Sequence, residues 1–450
     1  MSDSSSVILD RAADTVALPV IQAGDSSPAD GGVLRFVTAG SVDDGKSTLI
    51  GRLLFDSKGV FADQLDAIAR AKYKRTEGDA PDLALLTDGL EAEREQGITI
   101  DVAYRYFATP RRKFIVADAP GHEQYTRNMV TAASTADAAI ILIDATRAAD
   151  GKLLTQTKRH SAIARLLGIR HIIVAVNKMD LLGWDRDTFE RIRDAYAELA
   201  RRLDIPSFHA LPLSALKGDN VVTASARTPW YDGPTLLNLL ESLPVDAPAR
   251  QRPLRLPVQW VIRHGGSSVE DFRGYAGLVS SGELRVGDAV QVQPSGVTAS
   301  VQAIYLGSEP RQEALAGDAV TVVLDRDVDV SRGDLLVHAH APARVERAFE
   351  ADICWLDTQA LNPARRYLLK HGSRLTSVKV KEILSRRDIH ELAEVTGGEP
   401  LQANEIGRVS LAVRDPLPLD DYAANPGNGA FILIDEASNQ TAAAGMVRLA

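Results

Sequence analysis

The sequence predicts an α/β domain with a mostly parallel sheet followed by two small antiparallel β-barrel domains. Three observations carry that expectation. Short β-rich runs alternate with helix-period segments as far as Ser242; a proline- and charge-rich stretch, LPVDAPARQRPLRLP, follows; and beyond it the texture turns to short alternating strands broken by glycine. The expected divisions are a flexible N-terminal tail over 1–32, the α/β domain over 33–245, and barrels over 246–342 and 343–450.

The strand candidates of the first domain are VLRFVTA, VAYRYFA, KFIVADA, AAIILIDA, HIIVAVNK and FHALPLSA. Several are continuously apolar, as strands covered on both faces are. Phe189, Ile192, Tyr196, Leu199 and Leu203 recur at helical spacing and predict a stripe packed on the sheet. In RGYAGLVSSGELRVGDAVQVQPSGVTASVQAIYLG, strands punctuated by Gly282, Gly287 and Gly296 read as a small barrel. A further change near Ala341, followed by SRLTSVKVKEILSR and NGAFILIDEASNQTAAAGMVRLA, predicts another β-rich domain.

The 450 residues carry a formal charge of −9, which disfavours general polyanion binding and nucleic acid. One cysteine, Cys354, permits no internal disulfide or thiolate cluster; a buried small hydrophobe in a reducing, cytoplasmic setting is expected. The opening segment has Asp3 and Asp10 where a signal peptide would be basic. Its reading is a mobile tail. The most apolar run, AAIILI, is too short to span a bilayer, and no membrane partner is expected.

Residues 40–47, GSVDDGKS, fit G-x-x-x-x-G-K-[ST], in which backbone N–H groups cradle phosphates. A strand before and a helix after would set the phosphates on a helix N-terminus. Gly40 and Gly45 allow close approach, Lys46 would reach the β- and γ-phosphates, and Ser47 would bind Mg²⁺; Ser41, Val42, Asp43, Asp44 and Thr48 complete the cradle. Downstream, DAPGH follows a buried strand: Asp118 would hold Mg²⁺ through water, Gly121 would point its N–H at the γ-phosphate, and His122 would orient the attacking water, with Ala119 and Pro120 between.

NKMD, the residues Asn177, Lys178, Met179 and Asp180, chooses between purines. A carboxylate at Asp180 accepts from guanine's ring N–H and exocyclic amine, whereas adenine offers a lone pair there. GTP is therefore expected over ATP, with Ser214, Ala215 and Leu216 supporting the base through their backbone. Thr99 in EREQGITID would add a hydroxyl to Mg²⁺ in a segment that orders with triphosphate, although Glu91, Glu93, Arg94 and Glu95 read equally well as a solvated face. The first domain is thus expected to be an α/β P-loop GTPase domain.

In this order, and followed by two β-domains, the motifs resemble the translation-factor class of GTPases, to which elongation factor Tu belongs. That class usually has histidine where this chain has Ser41 and Asp44. GSVDDGKSTLIGRLL, DLALLTDGLEAEREQGITIDVAYRYF, PGHEQYTRNMVTAAS and DFRGYAGLVSSGELRVGD more closely resemble the large, GTP-binding subunits of bacterial sulfate adenylyltransferase. The resemblance implies a heterodimer with a smaller catalytic subunit, in which GTP hydrolysis drives formation of adenylylsulfate and pyrophosphate from ATP and sulfate. Some relatives carry a fused adenylylsulfate kinase; with no second phosphate loop up to Ala450, that activity is not expected. Two departures stand out: TRAADGKLLTQTKRH is longer than usual and Ala119 replaces Thr or Cys, and neither is expected to touch a phosphate ligand.

Two other readings use the same scaffold. Delivery of aminoacyl-tRNA would draw on RRYLLKHGSRLTSVKVKEILSRR, with Arg365, Arg366, Lys370, Arg374, Lys379 and Lys381 facing phosphates; alternating charges on solvated strand faces explain the run more simply. A purely regulatory GTPase is the other. His338 and His340 are spaced to share a strand face, but no third ligand accompanies them.

Overall fold

The structure, a computed structural model, describes residues 32–57, 83–86, 101–122, 125–244, 248–266, 269–388 and 394–449. The expected tail, apart from its last residue, lies outside them.

Six strands form the first sheet: β1 (Val33–Ala39), β2 (Ala103–Ala108), β3 (Lys113–Asp118), β4 (Ala138–Asp144), β5 (His171–Asn177) and β6 (Phe208–Pro212). Each matches one of the six runs read from sequence. Their order is β2-β3-β1-β4-β5-β6, parallel except that β2 pairs antiparallel with β3 at the edge. The strands' composition follows their position. β4, in mid-sheet, buries every residue, whereas edge strand β2 exposes Tyr104 and Tyr106.

Helices α1 (Lys46–Asp56), α2 (Thr126–Ala133), α3 (Thr155–Leu166), α4 (Arg186–Arg202) and α5 (Leu236–Ser242) cover both faces. Leu49, Ile50 and Leu53 of α1 and Leu236 and Leu240 of α5 pack with Leu34 and Phe36 on one side. On the other, the α4 stripe of Phe189, Ile192, Tyr196 and Leu199, with Leu203 just beyond the helix, packs with Val37, Ile141 and Val174. The Asp185 carboxylate caps α4, accepting from the Thr188 N–H at 2.9 Å. In such a doubly wound sheet the crevice beyond the strands' carboxyl ends is the place for a ligand.

Both β-regions close into barrels. In the last, six antiparallel strands run from Tyr367–His371 through Ala430–Asp435, Thr441–Arg448, Arg344–Trp355, Ile406–Leu419 and Arg374–Arg387 back to the first. Ile353, Trp355, Leu369, Val409 and Leu433 fill it. The middle barrel closes less regularly. Residues beside strand Leu256–Pro257 return to strand Val269–Leu278 and the residues after it through Gln259 N–H to Ala276 O at 2.8 Å, Ser280 N–H to Arg255 O at 2.8 Å and Arg255 N–H to Ser281 O at 3.0 Å. Gly282 makes this possible: at φ 77° its missing Cβ would lie 2.6 Å from the Leu254 backbone.

The three units are fastened together. Cys354, Leu356 and Ile406 of the terminal barrel join the core under α2 to α4, and Arg127 on α2 donates to the carbonyls of Leu356 at 3.1 Å and Thr441 at 3.2 Å. Burial pushes the Cys354 thiol up to about 12, so it packs as the inert hydrophobe expected. Between the barrels, buried Arg255 forms a two-pronged pair with Asp420 at 2.8 and 2.9 Å. Along the basic run, Lys379 and Lys381 are exposed beside buried Val378 and Val380, while Arg365 and Arg374 pair with Asp435 and Asp334. These are solvated strand faces. Strand Leu335–His338 of the middle barrel ends at the first histidine, so His340 lies in the following turn and not on the same strand face; the two rings stack 5.0 Å apart, and His338 meets Asp288 at 3.2 Å.

Candidate functional site

The loop between β1 and α1 lies at the carboxyl ends of β3, β4 and β5, and three segments close on it. Its glycines are required by neighbours. A Cβ at Gly40 would come 2.9 Å from the Leu142 carbonyl of β4, and one at Gly45, where φ is 92°, would come 2.4 Å from Asn177 Nδ2. Gly121 is pressed against the loop from the β3 side: its Cβ would stand 2.6 Å from Lys46 Nζ and 2.9 Å from Gly40 O. Gly121 therefore lies beside the loop's lysine.

Lys46 is buried, and its ammonium donates to the carbonyls of Ser41 at 2.7 Å and Gly40 at 3.1 Å. Burial pushes it below the ordinary lysine range, opposed by the carboxylates of Asp118, Asp44 and Asp43. Ser47 and Asp118 meet: the Ser47 hydroxyl donates to Asp118 Oδ2 at 3.2 Å, and Thr38 holds the other oxygen at 3.1 Å. A hydroxyl beside a buried carboxylate at a strand end is an all-oxygen donor set of the kind Mg²⁺ prefers, so the residues present fit that ion.

Asn177 ties the loop to the base side. Its Nδ2 donates to the Asp44 carbonyl at 2.8 Å and its Oδ1 accepts from the Ala215 N–H at 2.9 Å. Met179 is buried and its N–H donates to Leu213 O at 3.3 Å, setting the turn that presents Asp180. The Asp180 carboxylate is half-buried and makes no hydrogen bond or ion pair with a described residue. Lys178, at φ 65°, turns its ammonium to Asp144 at 2.7 Å. Burial raises the Asp144 carboxyl, but hydrogen bonds from Lys178 and Thr146 outweigh it and hold the group below the usual range. Ser214 is buried and accepts the Lys217 N–H at 3.2 Å; Leu216 exposes its side chain.

Other expected residues have looser neighbours. Val42, Ser47 and Thr48 are half-buried, Asp43 is exposed, and Ala119 and Pro120 are buried. His122 is half-exposed with its ring 6.2 Å from that of Tyr125, and its side chain makes no polar contact with the loop among the described residues. Thr99 and the charged residues before it lie outside the described residues.

One expectation is overturned. The long segment TRAADGKLLTQTKRH does touch the phosphate loop: Arg147 Nη1 donates to the Val42 carbonyl at 2.9 Å and stands 3.7 Å from Asp44 Oδ1. Asp44 is buried, its Oδ2 accepts the Ser41 N–H at 2.5 Å, and its Oδ1 has no hydrogen-bond partner. Burial raises its carboxyl against the pull of Lys46. Arg147 thus supplies a partly exposed cation to the buried Asp44 carboxylate.

Arg52 was likewise invisible in sequence. From α1 it donates to the carbonyls of Ala215 at 3.3 Å and Leu216 at 2.5 Å, fixing the base loop from beneath. Its neighbours along the helix are the apolar LIG before it and LLF after it, with Asp56 one turn on, 3.5 Å away.

Comparison with known proteins agrees with this geometry. Residues 32–246 match the elongation factor Tu GTP binding domain, and 348–448 match the GTP-eEF1A C-terminal domain-like family. The Ski7 GTPase-like domain of S. cerevisiae, bound to GDP and inorganic phosphate, superimposes with a TM-score of 0.51 at 16% identity, over 93% of this chain and 97% of that one. It shares the fold. The bifunctional enzyme CysN/CysC of Mycobacterium tuberculosis is 51% identical over 416 residues, 92% of this chain but 67% of that longer protein. Sulfate adenylyltransferase subunit 1 of Chromobacterium violaceum is 51% identical over 418 residues, 92% of this chain and 86% of that protein. With this identity along nearly its whole length, on a P-loop GTPase domain and two barrels, the chain belongs to the sulfate adenylyltransferase subunit 1 family.

Proposed function

We propose that the chain is the GTP-hydrolysing subunit of a sulfate adenylyltransferase, working with a smaller catalytic subunit that joins ATP and sulfate into adenylylsulfate and pyrophosphate. The observation that carries the reading is the convergence of loop, β3 end and β5 end on one place, with Ser47 against Asp118 and Asn177 bridging Asp44 to Ala215.

Each residue then has a task. The loop N–H groups and Lys46 hold the phosphates, the ammonium exchanging its carbonyl partners for phosphate oxygens. Asp180, with open acceptor capacity, takes guanine's two N–H donors, and the Ala215 backbone borders the base. Ser47, Thr99 and, through water, Asp118 would hold Mg²⁺, which neutralises charge on the phosphate oxygens when bound. Gly121 offers its N–H to the terminal phosphate and His122 orients the water that attacks it.

Hydrolysis drives a partner's unfavourable reaction only if the triphosphate and diphosphate states bind that partner's states with different affinity. Here the path for such a difference is short. The DAPGH strand end leads into α2, and Arg127 of α2 grips two carbonyls of the terminal barrel. Co-expression with the small subunit and measurement of adenylylsulfate formation tests the coupling. The yield must rise with GTP; a yield indifferent to GTP, with hydrolysis proceeding, rules the coupling out.

A further inference from the structure

The seam between the nucleotide domain and the terminal barrel holds a cleft of about 440 Å³, lined by none of the phosphate- or base-site residues. Its walls are unlike the rest of an acidic protein. Arg165 and Arg170 enter from the nucleotide domain, Arg252 from the connecting segment, and Arg387, Arg408 and Arg448 from the barrel. Against these six guanidiniums stand four carboxylates, so the lining has an excess of positive charge in a chain whose formal net charge is −9.

The carboxylates are mostly committed. Asp352 takes Arg408 at 3.0 Å and Arg448 at 2.7 Å. Asp421 accepts the N–H groups of Ala423 at 2.9 Å and Leu449 at 3.0 Å, and Glu394 accepts the Ser385 hydroxyl. The guanidiniums of Arg252 and Arg387, both residues half-exposed, make no hydrogen bond or ion pair with a described residue. Two such forks facing a partly desolvated space are stabilised by an arriving anion, and the planar fork matches phosphate oxygens in pairs. The volume suits a small ligand and not a polymer strand.

We propose that this cleft binds a small diphosphate-bearing anion between Arg252, Arg387 and the arginines of the two domains. Because both domains contribute walls, the anion binds one relative placement of them, across the seam where Tyr422 donates to the Leu167 carbonyl at 2.8 Å. Whatever the nucleotide site does to that placement changes anion affinity, and the anion changes nucleotide affinity by the same factor. Anion binding in this cleft is independent of the sulfate reaction.

The test is calorimetry on the full chain saturated with GDP and excess Mg²⁺, so that the phosphate loop is filled, titrated with inorganic pyrophosphate and, separately, with ADP. A response to pyrophosphate identifies the free diphosphate as sufficient; a response to ADP alone identifies a nucleoside diphosphate. Either supports the site if R252A/R387A weakens binding at least about tenfold with GDP affinity unchanged, and if R387Q alone weakens it in the same direction. No heat with either anion, or equal affinity in the native chain and the variants, overturns the proposal.

Discussion

Asn177 clamps Asp44: its Nδ2 donates to the Asp44 carbonyl at 2.8 Å while its Oδ1 accepts the Ala215 N–H at 2.9 Å. One buried amide thus sets the spacing between the phosphate loop and the base loop. Asn177→Ala removes both bonds and leaves a buried carbonyl and N–H unpaired, about 1–3 kcal/mol. The GDP dissociation constant, read by fluorescence titration, is expected to rise about ten- to hundredfold. An unchanged value would mean the two loops are held apart by other contacts.

Asp180 makes no bond with a described residue, so its acceptor capacity is available to a base. Asp180→Asn replaces an acceptor with a donor facing guanine's donors, and xanthine, which carries an oxygen in place of the exocyclic amine, restores the match. The variant is expected to lose GTP turnover and to gain hydrolysis of xanthosine triphosphate. Undiminished GTP turnover in the variant would remove Asp180 from the base site.

The pair of Arg255 and Asp420 is the hinge pin between the barrels, with Asn425 and Asn428 also donating to Asp420 at 3.1 Å. Asp420→Ala leaves a guanidinium that is 3% exposed without a counter-charge, held only by the carbonyls of Leu254 and Ala341. Breaking one side of a buried pair costs about 3–5 kcal/mol. Denaturant unfolding should show that loss; a change under about 1 kcal/mol would mean that water reaches Arg255.

His160 on α3 is buried, its Nδ1 has no hydrogen-bond partner, and burial, with smaller contributions from Lys46 and Arg159, pulls its pKa down to about 3. The unfolded chain takes up that proton near the ordinary value of 6.5 and the folded chain does not. Stability from this group is therefore intact above pH 6.5 and falls as the solution is acidified toward 3, by about 1.4 kcal/mol per pH unit. Unfolding midpoints measured between pH 5 and 7 should drop for the native chain and drop less for His160→Leu. Parallel curves would place the acid sensitivity elsewhere.

The strands and the nucleotide motifs were legible because each is local. Six β-rich runs became six strands, and the α4 stripe packed where its period placed it. Gly45, Lys46 and Ser47 stand at a helix start because that pattern encodes one. What could not be read was pairing across the chain. Arg147 reaches Val42 over 105 residues and Arg52 reaches Leu216 over 164. An isolated arginine carries no periodicity, and its guanidinium finds a carbonyl set by the fold, so neither sequence neighbour announces the contact. The two-domain cleft is hidden for the same reason, its arginines being scattered from Arg165 to Arg448.

In the proposed guanine site, Asn177, Asp180 and Ala215 join the base to the triphosphate loop. Side-by-side calorimetric titration of the full chain with GTP and ATP in excess Mg²⁺ tests it most directly. Placing adenine's lone pair against the Asp180 carboxylate leaves a charged acceptor unpaired, so GTP must bind more than about tenfold tighter. Equal affinity for the two nucleotides contradicts the account.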